Sequence, residues 1–458
     1  MSIHAQSDYD VVVVGGGISG LTVSYRMQQR GRRVALLDAG DASGGMIASH
    51  RDNGFLYESG ANSALATPLL EALFDEIGIA NARVDPSPRA KHRFIVRDGR
   101  LVALPSSPLD LLTTPAFSLA GKLRLLREPW IARTTSESDE SIADFARRRL
   151  GDEIRDYAVD PFVAGIYAGD PERISARAAF PRLIELERMH GSLLRGQLAS
   201  ARARRAEQRV LPKSFSFRDG MQTLPRAMAD RLQTRLPKTP VTTIERHDDK
   251  TYTVIAQGLR LRANAVVLSV PADAAASIVE SLSTMCAARL REIEYAPIAI
   301  VVTAYRKSDV AHGLGGFGFL VPGKERRAIL GSLFSSTLFE RRAPADGVLI
   351  TTFCGGTRDP AAIKEDDATL IARVTHELDA LIGARNCLQT FIVRWPRAIP
   401  QYTLGHLDRI AAIDSASRID GLFYCANWRG GVSIGDCVAS AQTTAQRMEV
   451  FLSGRTSR

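Results

Sequence analysis

The sequence predicts a mixed α/β and α+β chain: a parallel-stranded layer assembled from separated stretches, an antiparallel sheet, and a helical segment. Three observations carry that prediction. Tyr9 to Asp38 reads as strand, glycine-rich turn, helix and strand within one βαβ unit of ~30 residues. Short strand-like runs return in mid-chain at Val241–Ile244, Tyr252–Ile255 and Ala265–Val270, and again near the end at Leu422–Cys425. Ile298–Tyr305, Phe317–Val321, Ala328–Phe334 and Val348–Phe353 follow one another with no helix between them, as in an antiparallel series.

In the first unit, Val11 to Val14 is a β-branched run suited to a strand buried on both faces. Gly15, Gly17 and Gly20 form G-x-G-x-x-G. The first glycine allows a tight turn, the second a close approach to a pyrophosphate, and the third close packing of helix on strand. Leu21 to Arg30 is the expected helix, and its N-terminus offers oriented N–H groups and the positive dipole end to phosphates. Gly31 ends it, Val34 to Leu37 is the second strand, and Asp38 stands where a ribose hydroxyl needs an acceptor. The combination predicts a Rossmann-type dinucleotide site, and Asp38 favours the unphosphorylated ribose of NAD or FAD over NADP. The blander alternative is a glycine-rich turn in an ordinary α/β domain.

At 458 residues the chain accommodates two or three domains. Its 45% hydrophobic and 24% charged content suit a soluble globular protein. No apolar run reaches the ~18 residues of a spanning helix. The opening MSIHAQSDYD lacks the basic and apolar regions of a secretory signal, so a cytoplasmic location is expected, with adhesion to a membrane face as the exception. The net charge of +9 suits an acidic small molecule, an anionic membrane or nucleic acid. No nucleic-acid motif accompanies it, and the arginines are dispersed apart from Arg202, Arg204, Arg205 and Arg209, which read as a solvated face. The five cysteines, Cys286, Cys354, Cys387, Cys425 and Cys437, form no CxxC pair and read as reduced thiols. The histidines show no metal spacing, no metal is expected, and His312 and His406 read as structural.

Beyond Asp38, Gly44 and Gly45 form a second flexible stretch that can approach a cofactor closely. Tyr57 to Ser63 offers Gly60, Asn62 and Ser63, and Thr67-Pro68 opens a helix over Leu69–Ile77. Arg93–Val96 and Leu101–Leu104 alternate around Asp98-Gly99 as a hairpin, with Arg93 and Arg97 flanking its first strand. Each arginine is either an exposed strand residue or an anion contact. Leu109 to Ala132 mixes leucines, Phe117 and Trp130 with Lys122, Arg124 and Arg127. Its charges and Pro115 exclude a span, leaving a core-packed helical pair or a monotopic membrane contact. Ala158 to Asp170 is glycine-containing and apolar, helical patterns continue over Ala178–Arg209, and a last helix follows from about Ser433, after a Gly-Gly turn.

GGGISGL near the start, DPFVAGIYAGDPERIS in the centre, then GFGFLVP, LGSLFSS, RWPRAIPQYTLGH and GGVSIGDCV follow in order over nearly the whole chain. Together they resemble the oxygen-dependent protoporphyrinogen oxidases, FAD enzymes of haem and chlorophyll synthesis, with a lean toward the plant-type branch. The resemblance implies a discontinuous FAD-binding domain from 1–90, 237–275 and 390–458. It implies a helical, membrane-facing segment over 91–210, favouring the membrane reading of Leu109–Ala132, and a substrate-binding domain from 211–236 and 276–389. It also implies a homodimer, peripherally bound at the inner face of the cell membrane.

By matching position, the resemblance implies FAD contacts at Gly15, Gly16, Gly17, Ile18, Ser19, Gly20, Asp38, Ala39, Gly45, Met46, Gly60, Ala61, Asn62, Ser63, Val241, Trp395, Val432, Ser433 and Ile434. For the substrate it implies Arg93 as the partner of a propionate and Gly165 as a backbone contact. Leu320 and Leu333 would be walls of a macrocycle slot and Phe353 a stacking ring; Arg97 stays a surface residue. The sequence departs from the family pattern at Asp38, where glutamate is common, at Ala42, where arginine is usual, at Ala61, which replaces a proline, and at Trp428.

The implied reaction is oxidation of protoporphyrinogen IX to protoporphyrin IX in three two-electron steps, with dioxygen as acceptor and hydrogen peroxide released. Loss of hydride leaves a strongly acidic N–H, so no dedicated acid/base side chain is required and no catalytic residue is assigned. Coproporphyrinogen III is the alternative substrate. Another FAD amine oxidase or desaturase, or a non-catalytic flavin scaffold, completes the set of readings.

Overall fold

The computed structural model describes residues 8–134, 138–206, 212–416 and 419–456. Arg209 and the end of the helix expected over Ala178–Arg209 lie outside the described residues.

Two seven-stranded sheets organise the chain. In the first, Arg235–Leu236, Val34–Leu37, Tyr9–Val14 and Leu259–Leu268 lie side by side in parallel. The far edge of Leu259–Leu268 is shared. Its first half pairs antiparallel with Tyr252–Ala256, itself bordered by Val241–Arg246, and its end pairs in parallel with Leu422–Tyr424. The run Val11–Val14 is buried because both faces are covered. Val11 and Val13 point into a core shared with residues of the helices Ile18–Gln29 and Ile434–Thr456. Val12 and Val14 point into a second core containing the apolar face of Ala272–Val279.

The second sheet has the order Gln389–Pro400, Tyr295–Arg306, Gly347–Gly355, Gly331–Leu333, Gly318–Leu320, Arg93–Arg97, Arg100–Ala103. It is antiparallel except where Gly318–Leu320 meets Arg93–Arg97. Strand alternation divides its faces. Ala299, Val301, Phe319, Ile350 and Cys354 face the core under the helix Asp367–Ile382. Ile298, Ile300 and Val302 face the opposite way, toward Met46, Tyr57 and Trp395.

Strand pairing corrects the expected boundaries in three places. Ser214–Phe217 pairs with Ala64–Leu65 and Arg83–Val84, and Arg235–Leu236 extends the first sheet, so 212–236 sits with the dinucleotide layer. Arg93–Arg97 and Arg100–Ala103, expected inside the helical segment, are the edge of the second sheet. Gln389–Pro400, expected in the cofactor domain, is its opposite edge. In each case, backbone groups are satisfied by a strand distant in sequence, which chain order does not reveal.

The helical segment is a set of short pieces. Pro108–Thr113, Leu119–Leu126 and Ile142–Leu150 are N-capped by the hydroxyls of Ser107, Ser118 and Ser141. A buried ion pair between Arg149 and Glu128 ties it together, and Glu128 also accepts bonds from Ser192 Oγ at 2.5 Å and the Leu193 and Leu194 N–H groups at 2.9 and 3.2 Å. No described helix is long and apolar enough to cross a membrane.

Candidate cofactor and substrate site

The turn after Val14 shows what each glycine does. Gly15 has φ +106°, and a Cβ there would collide with the Ser269 carbonyl oxygen. A Cβ on Gly20 would collide with the Gly15 carbonyl oxygen, so this glycine is required for helix-on-strand contact. Gly17 differs: no described atom lies within 4 Å of where its Cβ would be. This is the open side of the turn, flanked by the start of the helix Ile18–Gln29 and its buried Ile18 and Ser19. Asp38 closes the other side. Its carboxylate accepts the Gly16 N–H and, at 2.6 Å, the Gly40 N–H.

The chain returns to this rim from three directions. Residues 236–239 run along Asp38 and Gly40, with Thr239 N–H to Asp38 O at 2.7 Å and Lys238 N–H to Gly40 O at 2.9 Å, and Val241 follows two residues later. Gly44 N–H bonds Gly16 O at 2.8 Å, which sets Gly45 beside Gly17. Gly60 is packed so closely on the Met46 carbonyl that a Cβ would collide with it, and the half-buried Ala61, Asn62 and Ser63 follow. Trp395 joins this group by donating its indole N–H to Ser59 O at 2.6 Å.

The C-terminal arm is placed by Tyr402, which the sequence reading left without a role. Its hydroxyl donates to Asn427 O at 2.8 Å and accepts the Gly431 N–H at 2.9 Å. The Gly430–Gly431 turn is thereby held, and Val432 and Ser433 lead into the helix Ile434–Thr456, which Ser433 caps. Ile18 and Ile434 share one core, so two helix starts far apart in sequence meet at one place. Tyr402 stacks on the buried His406 with ring centroids 4.1 Å apart. Burial, with Arg409 nearby, pushes the His406 imidazole down to about 4. Burial lowers His312 as well. The donor set fits a dinucleotide: backbone N–H groups and two helix starts for a pyrophosphate, open space over Gly17, and a carboxylate at the ribose end.

The second sheet brings the expected substrate residues together. Its register aligns Arg93 with Gly318, Gly318 with Leu333, Leu320 with Gly331, and Gly331 with Phe353. Partners in register share a face, so Arg93, Leu320, Leu333 and Phe353 stand on one side, with the two glycines contributing no side chain between them. Leu320, Leu333 and Phe353 are only half-buried, whereas Phe319, Ser332, Thr352 and Cys354 on the reverse face are buried. Ile300 opposite Phe353, and Ile298 opposite Trp395, continue this face to the cofactor rim. Gly165 lies across from it in the helix Asp160–Tyr167, where a Cβ would stand 3.0 Å from Leu320 Cδ2. Arg93 is exposed, its guanidinium 5.2 Å from the Phe317 ring centroid, and it makes no ion pair among the described residues.

Arg97, expected at the surface, is instead half-buried. It pairs with Glu153 at 2.7 Å, donates to the Ala116 carbonyl and lies 4.4 Å above the Tyr157 ring. The alternation of the hairpin does not distinguish it from Arg93, because the difference comes from helices packed on one end of the strand. No group of three or more His, Cys, Asp or Glu residues with metal-binding geometry occurs among the described residues.

A family model for flavin containing amine oxidoreductase matches residues 18–449. The chain belongs to that family and is an FAD-dependent oxidoreductase. Over 486 residues it is 32% identical to protoporphyrinogen oxidase 2, chloroplastic/mitochondrial, of Arabidopsis thaliana, spanning 98% of this chain and 96% of that one. It is also 25% identical over 463 residues to coproporphyrinogen III oxidase of Bacillus subtilis (strain 168), spanning 96% of this chain and 98% of that one. A crystal structure of a protein proposed to be a protoporphyrinogen oxidase, from Exiguobacterium sp. 255-15, matches with a TM-score of 0.83 at 25% identity, over 97% of this chain and all of that one. Putrescine oxidase shares the fold, with a TM-score of 0.70 at 18% identity, over 96% of this chain and 99% of that one.

Proposed function

We propose that this protein oxidises protoporphyrinogen IX to protoporphyrin IX in porphyrin and haem synthesis, with dioxygen as the terminal acceptor. The observation that carries the reading is the half-buried apolar face of Leu320, Leu333 and Phe353, with unpaired Arg93 at one end and the Trp395–Met46 cofactor rim at the other. A tetrapyrrole macrocycle can pack against such a face. Arg93 can bind a propionate by charge-assisted hydrogen bonds, orienting the macrocycle. FAD, when bound, supplies two-electron oxidation at a bridging carbon. Three rounds remove six electrons and six hydrogens from the substrate, and three dioxygen molecules become three of hydrogen peroxide. The slot residues named here carry no acid or base, so the acidic N–H formed on oxidation passes its proton to water or a backbone carbonyl.

Coproporphyrinogen III is the second reading, motivated by the Bacillus subtilis relative. Of the two arginines on this side of the strand Arg93–Arg97, Arg97 is taken up by Glu153 and Arg93 makes no ion pair among the described residues, which favours the substrate with fewer carboxylates. The reading extends to the plant-type branch, through the higher identity to the plant relatives, and to a homodimer, through the family resemblance. It also includes peripheral contact with the inner face of the cell membrane, the chain being otherwise cytoplasmic. Support comes from Leu109, Leu119 and Trp130, which are 76, 72 and 78% exposed close to the cationic Lys122 and Arg127.

The test is the rise in porphyrin fluorescence when purified, detergent-solubilised protein meets either porphyrinogen in air, corrected for autoxidation. Faster turnover of protoporphyrinogen IX is expected. Preference for coproporphyrinogen III would move the assignment to that substrate. No rise with either, from protein that holds FAD, would return the chain to amine oxidation or desaturation.

A further inference from the structure

The helix that faces the apolar slot is held at both ends by one short segment that follows Phe353. At its N-terminal end, Asp160 accepts the Arg358 Nη2–H at 2.7 Å and the Gly323 N–H at 2.7 Å, and Arg358 Nη1–H reaches Val321 O at 2.8 Å. At its C-terminal end, Ala168 adopts the left-handed conformation, with φ +47°, and its carbonyl accepts the Thr357 N–H at 2.8 Å. Gly355 and Gly356, at φ +99° and +70°, swing the chain from the strand Gly347–Gly355 across to that helix. A Cβ on Gly356 would stand 2.5 Å from Ala168 O, so a larger residue would push the two apart. Between the two anchor points lies Gly165, in contact range of Leu320.

We infer that Gly356, Thr357 and Arg358 form a clasp, with Asp160 as its counterpart, that sets the gap between Gly165 and the Leu320–Phe353 face and so positions the macrocycle. The inference rests on the porphyrinogen reading of that face. Val321 directly follows Leu320, and Gly355 lies just beyond Phe353, so the clasp touches the ends of both wall strands as well as the helix. Arg358 and Asp160 are both half-buried, with side chains 24 and 13% exposed, so solvent screens their pairing only partly. Neither group reaches into the slot as acid, base or ligand. They are positioning residues.

Arg358→Met removes both of that side chain's bonds while keeping most of its apolar stem. Its KM for protoporphyrinogen IX should rise about tenfold, with kcat changed less than about twofold and FAD affinity unchanged. Asp160→Asn, the milder variant, should move KM the same way by a smaller factor. The double variant should fall short of the product of the two single effects, because the Arg358–Asp160 pair is common to both. Arg358→Lys, which restores the charge pair alone, should fall between Arg358→Met and the wild type. Binding of protoporphyrin IX, read by tryptophan fluorescence quenching, should weaken in parallel with KM. Wild-type affinity and KM in Arg358→Met, while the wild type oxidises the porphyrinogen, would overturn the clasp alone. So would loss of FAD from both single variants, which would make the contact a general structural one. A wild type that neither oxidises the porphyrinogen nor binds the porphyrin would overturn the substrate reading, and the clasp with it.

Discussion

Gly17 and Gly20 stand three positions apart in one motif, and the structure predicts opposite consequences for filling them. A Cβ on Gly17 meets no described atom within 4 Å, and the residue has φ −69° and ψ 175°, which any L-residue can adopt. Gly17→Ala and Gly17→Val should therefore leave the stability of the cofactor-free protein within about 0.5 kcal/mol of the wild type. The space they fill is where a pyrophosphate approaches the turn. Blocking it with valine should weaken FAD binding by at least about a hundredfold, or ~3 kcal/mol. In Gly20→Ala the new Cβ collides with the Gly15 carbonyl oxygen, so the helix must leave the strand, and stability should fall by about 2 kcal/mol or more. The assay pairs urea unfolding of the deflavinated proteins with FAD titration followed by flavin fluorescence. A Gly17→Val protein that purifies yellow with wild-type FAD affinity would refute the assignment. Equal destabilisation by the Gly17 and Gly20 substitutions would refute the division of labour between them.

Further expectations follow from individual residues. Arg93→Ala should raise KM for the porphyrinogen about tenfold while leaving FAD binding intact, as steady-state kinetics and flavin titration would show; unchanged kinetics would return Arg93 to the surface. Glu128→Ala should destabilise the protein by about 3–5 kcal/mol in urea unfolding, because it removes the nearer counter-charge of the fully buried Arg149 guanidinium, leaving only Glu187 at 3.5 Å, and strips Ser192 Oγ and the Leu193 and Leu194 N–H groups of their acceptor. His406 is held neutral in the folded protein, since burial pushes its imidazole down to about 4, while the unfolded chain protonates it near 6.5. Its contribution is therefore present above about pH 6.5 and is lost as pH falls from there toward about 4, to the extent of about 3 kcal/mol. His406→Phe, which keeps a ring stacked on Tyr402, should flatten that part of the stability profile. An unchanged slope between those pH values would show that other groups cause it.

The sequence by itself determined what is local. Val11–Val14, the three spaced glycines, the following helix and Asp38 are contiguous, and their chemistry follows from residue type and spacing. The helix start at Thr67 and the turn at Asp98-Gly99 are legible for the same reason. The family resemblance added positions that no period or spacing marks, such as Trp395 and Phe353. What only the tertiary structure decided is which distant segments meet. The pairing of Arg93 with Gly318 and of Gly318 with Leu333 puts an arginine and two leucines on one face. A shift of one residue would turn those side chains to the opposite face. Pairing also moved Gln389–Pro400 and Arg93–Ala103 into the second sheet, since an edge strand takes its hydrogen bonds from whichever strand lies beside it. Arg93 and Arg97 carry the same side chain on the same short strand. Phe317 and open space meet one, while Glu153 and Tyr157 meet the other, because the helices pack over one end of the hairpin only. The contacts of Arg358 with Asp160 and of Tyr402 with Gly431 likewise join residues that are close only after folding, when burial makes each hydrogen bond matter.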